Sequence, residues 1–486
     1  MKGNGDLLLV AALTLAAGLP FGASAEVPPA GVQIYRTTLE RDFREVEGAV
    51  ASEQTGPGAR VVDLDAAKPR HEFLGLGVSF AEASCHLLMK LPAAERRTVL
   101  ESVFGKSGIG LSVGRIHMGA SDYSRRLYSY DDVPGDVKLE RFSIDPDRAE
   151  VLPILKEARA VNPELCFFSS QWSPPGWMKE NGTLCGGPLR DDMLGVYTDY
   201  FVRFLRAYRE AGIDIRAFTL QNEPMANQEY NSPTCFLPPE TEIAAIRMLA
   251  PKLKAAGLDA KPWLFDHNFD STGRVERCLA DAELRSLIGG VAWHPYSGEP
   301  EMIAPLKAKY PDLPMYQTEM GPHVDRTKRN LVWWGRLMAR TFNAGCGAFC
   351  SWCLALDEEG QPNVSCGFPC AGFVEIHSET RAVTPSSQYK AFRHVSPFVK
   401  RGAKILDAPV ACGPAVSTVS LKYHPLERLA VTSFRNPDGS DVVFIAYDLP
   451  DEPFGRMQLQ IRRNGLYLPV QVFANALTTV VFPASR

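Results

Sequence analysis

Two short segments, Thr219-Leu220-Gln221-Asn222-Glu223-Pro224 and Met315-Tyr316-Gln317-Thr318-Glu319-Met320, each run through apolar residues into a glutamate. A pair of glutamates presented at the ends of two strands is the minimum apparatus for hydrolysing a glycosidic bond. One protonates the leaving oxygen and the other attacks the anomeric carbon. Most glutamates are solvated loop residues, so the pair means something only if the fold holds the two together.

The elements that must do so can be read along the chain. Runs rich in β-branched and aromatic residues fall at Phe73 to Phe80, Gly110 to Met118, Leu165 to Trp172, Ile215 to Asn222, Pro262 to His267, Gly290 to Tyr296, Pro314 to Glu319 and Ala348 to Leu354. Helical stretches lie between most of them. One opens at Leu91-Pro92 and runs to Phe104, with Gly105 as its stop. Another runs from Asp191 or Asp192 to Ala211, with Tyr197, Phe201, Phe204 and Tyr208 on one stripe and Gly212 as its stop. Eight strands alternating with helices predict a (β/α)8 barrel over 71–403, whose chemistry sits on the loops after the strands. Glu223 closes the fourth strand and Glu319 the seventh, 96 residues apart, the span expected of three βα units. An open doubly wound sheet would need a Gly-rich phosphate turn, and Gly75-x-Gly77 lacks the third glycine.

After about Lys404 the texture changes. Leu429 to Phe434, Asp441 to Tyr447 and Met457 to Ile461 are strand-like and separated by turns such as Asn436-Pro437-Asp438-Gly439, which predicts an all-β sandwich over 404–486. Strand-like residues between Gly31 and Asp65 cannot belong to a barrel that begins at Phe73, so the 26–70 segment is expected to join that sheet.

The 486 residues are 45% hydrophobic and 22% charged, with a formal charge of −4 and no basic run interleaved with aromatics. Nucleic acid is therefore not expected as a partner. Met1-Lys2, an apolar run from Leu7 to Leu19 and Ala23-Ser24-Ala25 read as a signal peptide over 1–25, so a secreted or periplasmic location is expected. The run is short of the ~20 apolar residues of a spanning helix, and no integral membrane segment is expected after cleavage. Eleven cysteines suit disulfides or buried thiols in an exported chain. Cys350-x2-Cys353 and Cys366-x3-Cys370 superficially suggest zinc, but residues three apart on a strand point to opposite faces. No metal and no cofactor is expected. A metal-dependent hydrolase would also want paired histidines at strand ends, which His71, His86 and His117 do not supply.

Several motifs in order carry a resemblance: Gly75-x-Gly77-x-x-Phe80; Gly108-Ile109-Gly110-x-x-x-Gly114-Arg115-x-x-Met118-x-x-Ser121-Asp122-Tyr123-Ser124; Trp172-Ser173-Pro174-Pro175-x-Trp177-Met178-Lys179-x-Asn181-Gly182; and Asn222-Glu223-Pro224. Over nearly the whole length after the signal, the chain resembles glycoside hydrolase family 30, the group of the glucosylceramidases. The resemblance implies a retaining mechanism with Glu223 as acid/base and Glu319 as nucleophile. Arg115 is then the cation that keeps Glu319 ionised, and desolvation by Trp172 and Trp352 would raise the pKa of Glu223. It further implies that Asn222 binds the sugar 2-hydroxyl, that Tyr296 orients the nucleophile with His294 beside it, that Asp122 and Trp172 bind glycone hydroxyls, and that Trp352 forms a platform under the ring. Gln171 and Cys353 depart from the family pattern next to the pocket. The implied substrate is a β-linked glycan or glycolipid, with a glucosylceramidase-like β-glucosyl cleavage as the main reading and β-1,6-glucan or another β-glycoside as the alternative. A non-catalytic sugar-binding protein would most simply lack one carboxylate, and both are present.

Overall fold

The structure is a computed structural model that describes residues 31–38, 41–46, 50–55, 59–227, 232–325, 330–365, 370–412, 428–449 and 455–484. The expected signal peptide, Cys366 and four residues of the loop after Glu223, including Tyr230, lie outside them.

Eight parallel strands close into a barrel. They are β1 (Gly75–Phe80), β2 (Val113–Met118), β3 (Cys166–Gln171), β4 (Ile215–Thr219), β5 (Lys261–Asn268), β6 (Gly290–His294), β7 (Met315–Gln317) and β8 (Cys346–Cys353). All eight sequence runs become strands, with shifted ends. β4 stops at Thr219 and β7 at Gln317, because the last residues of each run leave the ladder to form the mouth of the barrel. Phe73 is not in β1. Its ring packs edge-on against Phe342 and Phe434, both at 5.5 Å, on the seam between the barrel and the C-terminal sheet. The helices Ala93–Phe104 and Leu194–Glu210 follow the expected bounds, the second preceded by a 3-10 turn over Asp191–Met193 and followed by Gly212 at φ +89°.

The barrel interior is layered. Val113, Phe168, Ala217, Trp263, Ala292 and Cys350 fill an apolar layer, and polar side chains lie above it toward the strand C-termini. Close strand approach depends on Gly77, where a Cβ would meet the Val113 carbonyl oxygen at 2.7 Å and Cys350 Sγ at 2.8 Å. Cys350 faces this interior, whereas Cys353 packs with Tyr123, Trp172 and Trp352, so the two thiols do not converge on one site.

The second unit is a two-sheet sandwich. Its seven-stranded sheet includes Gln33–Thr37, Ala476–Phe482, Asp441–Tyr447, Leu429–Arg435, Lys404–Asp407 and Lys68–Glu72, and its four-stranded sheet includes Arg60–Asp63 and Arg456–Arg463. Strands from both chain ends are interleaved, with Tyr35 opposite Thr479 and Val62 beside Ile461. The central strand Asp441–Tyr447 is buried on both faces. Val443, Ile445 and Tyr447 enter the sandwich core, while Val442, Phe444 and Ala446 join the barrel core against the helix Leu331–Ala344. An apolar run without alternation is what burial on two faces requires.

Candidate active site

Above the apolar layer sits a carboxylate that the sequence reading missed. Asp266 lies on β5 at a bulge, where pairing with β6 slips between Ala292 and Trp293. Trp263 faces the barrel interior, Leu264 and Phe265 both face the outer core, and the irregular register returns Asp266 inward. Phe265 and Asp266 have φ of +82° and +75°, a conformation L-residues adopt at a cost and keep only where the surroundings enforce it. Those surroundings are five side-chain donors. Asp266 Oδ2 accepts from Arg115 Nη2 at 2.8 Å and from the hydroxyls of Ser170 and Thr219 at 2.7 Å. Its Oδ1 accepts from Thr318 Oγ1 at 2.6 Å and pairs with His294 Nε2 at 3.0 Å.

Arg115, fully buried on β2, radiates from this hub. Its Nη1 donates a short hydrogen bond to Glu319 Oε2, and its Nη2 also reaches Asn222 Oδ1 at 2.8 Å. Glu319, two residues beyond β7, accepts a second hydrogen bond on Oε1 from the Tyr296 hydroxyl at 2.9 Å. Glu223 lies four residues beyond β4 with φ +51°, and its N–H donates to the Asp266 carbonyl at 3.0 Å, which fixes that strained turn. His294, at the end of β6, bridges the carboxylates: Nδ1 is 3.1 Å from Glu223 Oε1. Single oxygens of Glu223 and Glu319 and a ring nitrogen of His294 all lie within 4.8 Å of one another. A cation could be gathered by those three atoms on distance alone, but it would have to displace the Arg115 guanidinium and the Glu223–His294 hydrogen bond.

The other expected residues take up different stations. Trp172 and Trp352 lie 5.2 Å apart; Trp352 stacks on His117 at 4.9 Å, and Trp172 meets the same imidazole at 4.3 Å, tilted by 44°. The Arg115 guanidinium lies 4.8 Å from the Trp172 ring and 5.7 Å from that of Trp352. Half-buried Asp122 keeps Oδ1 buried and unpartnered. His294 has no exposed surface and stands behind the glutamates, with its ring 5.9 Å from that of Tyr296.

Electrostatics follow from this geometry. Burial opposes charge on Arg115, but Asp266 and Glu319 outweigh it and hold the guanidinium charged. Burial would also raise Asp266, yet Arg115 and His294 keep it far below the usual carboxylate range. Burial works against protonated His294, and Glu319, Asp266 and Glu223 together lift it to about 9. Burial pushes Asp122 well up, with the charges of Glu319 and Glu223 adding to it. Burial raises Glu319 against the pull of His294 and Arg115. Glu223 departs from expectation: the cost of its burial is overcome by the hydrogen bond and charge of His294, and its carboxyl is held low. The tryptophans expected to raise it sit instead beside Arg115 and His117.

A buried Arg–Asp hub, two facing glutamates at the ends of β4 and β7 and an aromatic wall between β3 and β8 form a sugar-hydrolase arrangement. Residues 73–399 match the glycosyl hydrolase family 30 TIM-barrel domain. The chain belongs to glycoside hydrolase family 30. This family 30 chain is 28% identical over 434 residues to an endo-1,6-β-D-glucanase of Neurospora crassa, with 85% of each covered. It is 27% identical to the lysosomal acid glucosylceramidase of Mus musculus, over 82% of this chain and 79% of that one. A solved endo-β-1,6-glucanase superposes on 93% of the chain at a TM-score of 0.81 and 26% identity. The family 30 chain is a β-glycoside hydrolase, and no helix among its described residues is long and apolar enough to cross a membrane.

Proposed function

We propose that the enzyme hydrolyses β-glucosyl bonds with retention, by double displacement through a covalent glycosyl-enzyme on Glu319. The observation that carries this reading is the closeness of the two carboxylates, with oxygens within 4.8 Å. A retaining pair stands about 5 to 5.5 Å apart, whereas an inverting pair needs roughly 6.5 to 9.5 Å to admit a water between itself and the sugar. Glu319 is the nucleophile because its oxygens are held by Arg115 and Tyr296, donors that stabilise a carboxylate and aim it. Glu223 is the acid/base, since its partner His294 can exchange a proton with it. Asn222 spends Oδ1 on Arg115, which leaves its amide nitrogen for a sugar hydroxyl, and the unpartnered Asp122 oxygen suits another. Trp172 and Trp352 supply the aromatic wall of the glycone pocket.

The relatives named for glucosylceramide and β-1,6-glucan share a β-glucosyl unit and differ in the leaving group. A glucosylceramidase-like reading is taken as the main one. β-1,6-Glucan is the second, favoured by the Neurospora crassa relative and the solved glucanase. The N-terminal signature supports export to the cell exterior or periplasm.

The roles are separated by two variants and one spectrum. Glu319→Gln is expected to lose turnover of every substrate. Glu223→Gln should retain turnover of aryl β-glucosides whose leaving group needs no proton, and proton NMR of the first-formed sugar should show the β-anomer. Equal losses on activated and unactivated substrates in Glu223→Gln, or a first-formed α-anomer, would refute the assignment. Parallel hydrolysis of glucosylceramide and β-1,6-glucan decides the leaving group.

A further inference from the structure

We infer that His294 is the proton store of the catalytic acid, with Asp266 as the positioning residue that fixes which ring nitrogen faces Glu223. The inference rests on the assignment of Glu223 as acid/base. It starts from a linear chain of contacts: Asp266 Oδ1 to His294 Nε2 at 3.0 Å, and His294 Nδ1 to Glu223 Oε1 at 3.1 Å. Asp266 is ionised and can only accept, and Oδ1 already takes the Thr318 hydroxyl, so Nε2 must carry a hydrogen in either charge state of the ring. Only Nδ1 can then change its protonation, and Nδ1 is the atom that faces Glu223. One proton is shared across that 3.1 Å contact, as imidazolium with carboxylate or as imidazole with carboxylic acid.

The surroundings set the balance. Glu223 from the loop after β4, Asp266 and His267 on β5, Tyr296 after β6, and Glu319 after β7 face the ring, with Glu319 Oε2 4.0 Å from Nε2. Arg115 on β2 reaches it through Asp266. Three carboxylates against one distant guanidinium favour the imidazolium in the free enzyme, and a free Glu223 carboxylate is consistent with it. When a sugar fills the cleft and excludes water, charge separation across the pair costs more, and the proton crosses from Nδ1 to Oε1. Glu223 then gives it to the glycosidic oxygen as the bond to the anomeric carbon breaks and Glu319 attacks. In the second step water attacks the glycosyl-enzyme, its proton passes to Glu223 Oε1 and back to Nδ1, and the Glu319 carboxylate is released. The proton count returns to its start.

A consequence is that the basic limb of kcat/KM reports the Glu223–His294 pair and not a lone carboxyl. The test measures that limb on methyl β-glucoside, which needs its leaving group protonated, and on 2,4-dinitrophenyl β-glucoside, which does not. The wild-type limb on methyl β-glucoside is expected near the value of about 9 that His294 carries. His294→Gln, which keeps a hydrogen-bonding amide but stores no proton, should lower the limb by at least two pH units on methyl β-glucoside and reduce kcat/KM for the dinitrophenyl substrate by a smaller factor than for methyl β-glucoside. Asp266→Asn should lower it in the same direction. An unmoved limb in a folded His294→Gln enzyme, with only a lower Tm, overturns the proton store while leaving Glu223 as acid/base, provided Glu223→Gln still discriminates the two substrates. Loss of that discrimination in Glu223→Gln overturns the acid/base assignment itself. If His294→Gln does not fold, NMR titration of carbon-13-labelled histidines in the wild-type enzyme reads His294 directly. A midpoint near 9 supports the store, and one near the ordinary 6.5 refutes it.

Discussion

Arg115→Met removes the guanidinium that hydrogen-bonds both Asp266 and Glu319, and its effect can be worked from the contacts. The Arg115–Asp266 pair stands at 2.8 Å with both side chains at 0% exposure. At an effective dielectric near 20 that separation gives about 6 kcal/mol of attraction, before the desolvation of both ions is set against it. Losing one partner of such a buried pair leaves an uncompensated charge and costs about 3 to 5 kcal/mol at neutral pH. The pH dependence follows from the two carboxyls. Asp266 is depressed by Arg115 and His294, so its contribution is present above its unfolded pKa and vanishes only far below it. Glu319 is already raised by burial, so its charged form costs stability at neutral pH, and that cost disappears on protonation. Without Arg115 both carboxyls move up. The penalty in Arg115→Met should therefore be larger at pH 7 than at pH 5, because acid favours the protonated Glu319 that burial already prefers. Catalysis gives the second readout. The acid limb of kcat/KM on 2,4-dinitrophenyl β-glucoside should rise by about 1 to 3 units, each unit being about 1.4 kcal/mol. Chemical denaturation at the two pH values and a pH–rate profile test both statements. A variant with lowered stability and an unmoved acid limb would show that Arg115 only ties strands together, and the reasoning about Glu319 would fall.

Gly77→Ala places a methyl against a backbone oxygen and a thiol at the β1–β2–β8 contact, and should cost about 1 to 3 kcal/mol, read as a lowered urea midpoint with kcat per folded molecule retained. Ending the chain at residue 403 removes Phe434, Val442, Phe444 and Leu477 from the barrel core, so the fragment should be insoluble on expression. A soluble, active 26–403 fragment would refute the shared core.

Much of this molecule could be read from the sequence because its information is periodic. The eight apolar runs announced themselves by β-branched and aromatic content, and the glutamates by following two of them. Arg115, within β2, and Tyr296, two residues beyond β6, both hydrogen-bond Glu319. Asp266 was not legible, because Leu264-Phe265-Asp266-His267 reads as an ordinary strand and only the bulge decides which residues turn inward. An acid inside an apolar barrel strand was the available signal. The environment of Glu223 was misjudged for a related reason: nearness of strand ends does not say which side chain occupies which side of the mouth, and the two tryptophans lean toward Arg115. The low carboxyl of Glu223 is the joint result of burial, two histidines and Asp266, and no spacing rule encodes it.

The strand Gln33–Thr37 has its antiparallel neighbour in Ala476–Phe482, the last strand of the chain. These partners are made roughly 440 residues apart, which at about 5 to 20 residues per second separates them by tens of seconds of synthesis. A nascent chain can have made all eight barrel strands while Gln33–Thr37 is paired only with Arg44–Val46. The seven-stranded sheet can close only after Ala476–Phe482 has been made. A chain lacking Ala476–Phe482 would leave Asp441–Tyr447 with an open sheet edge, the kind of edge on which chains pair with one another.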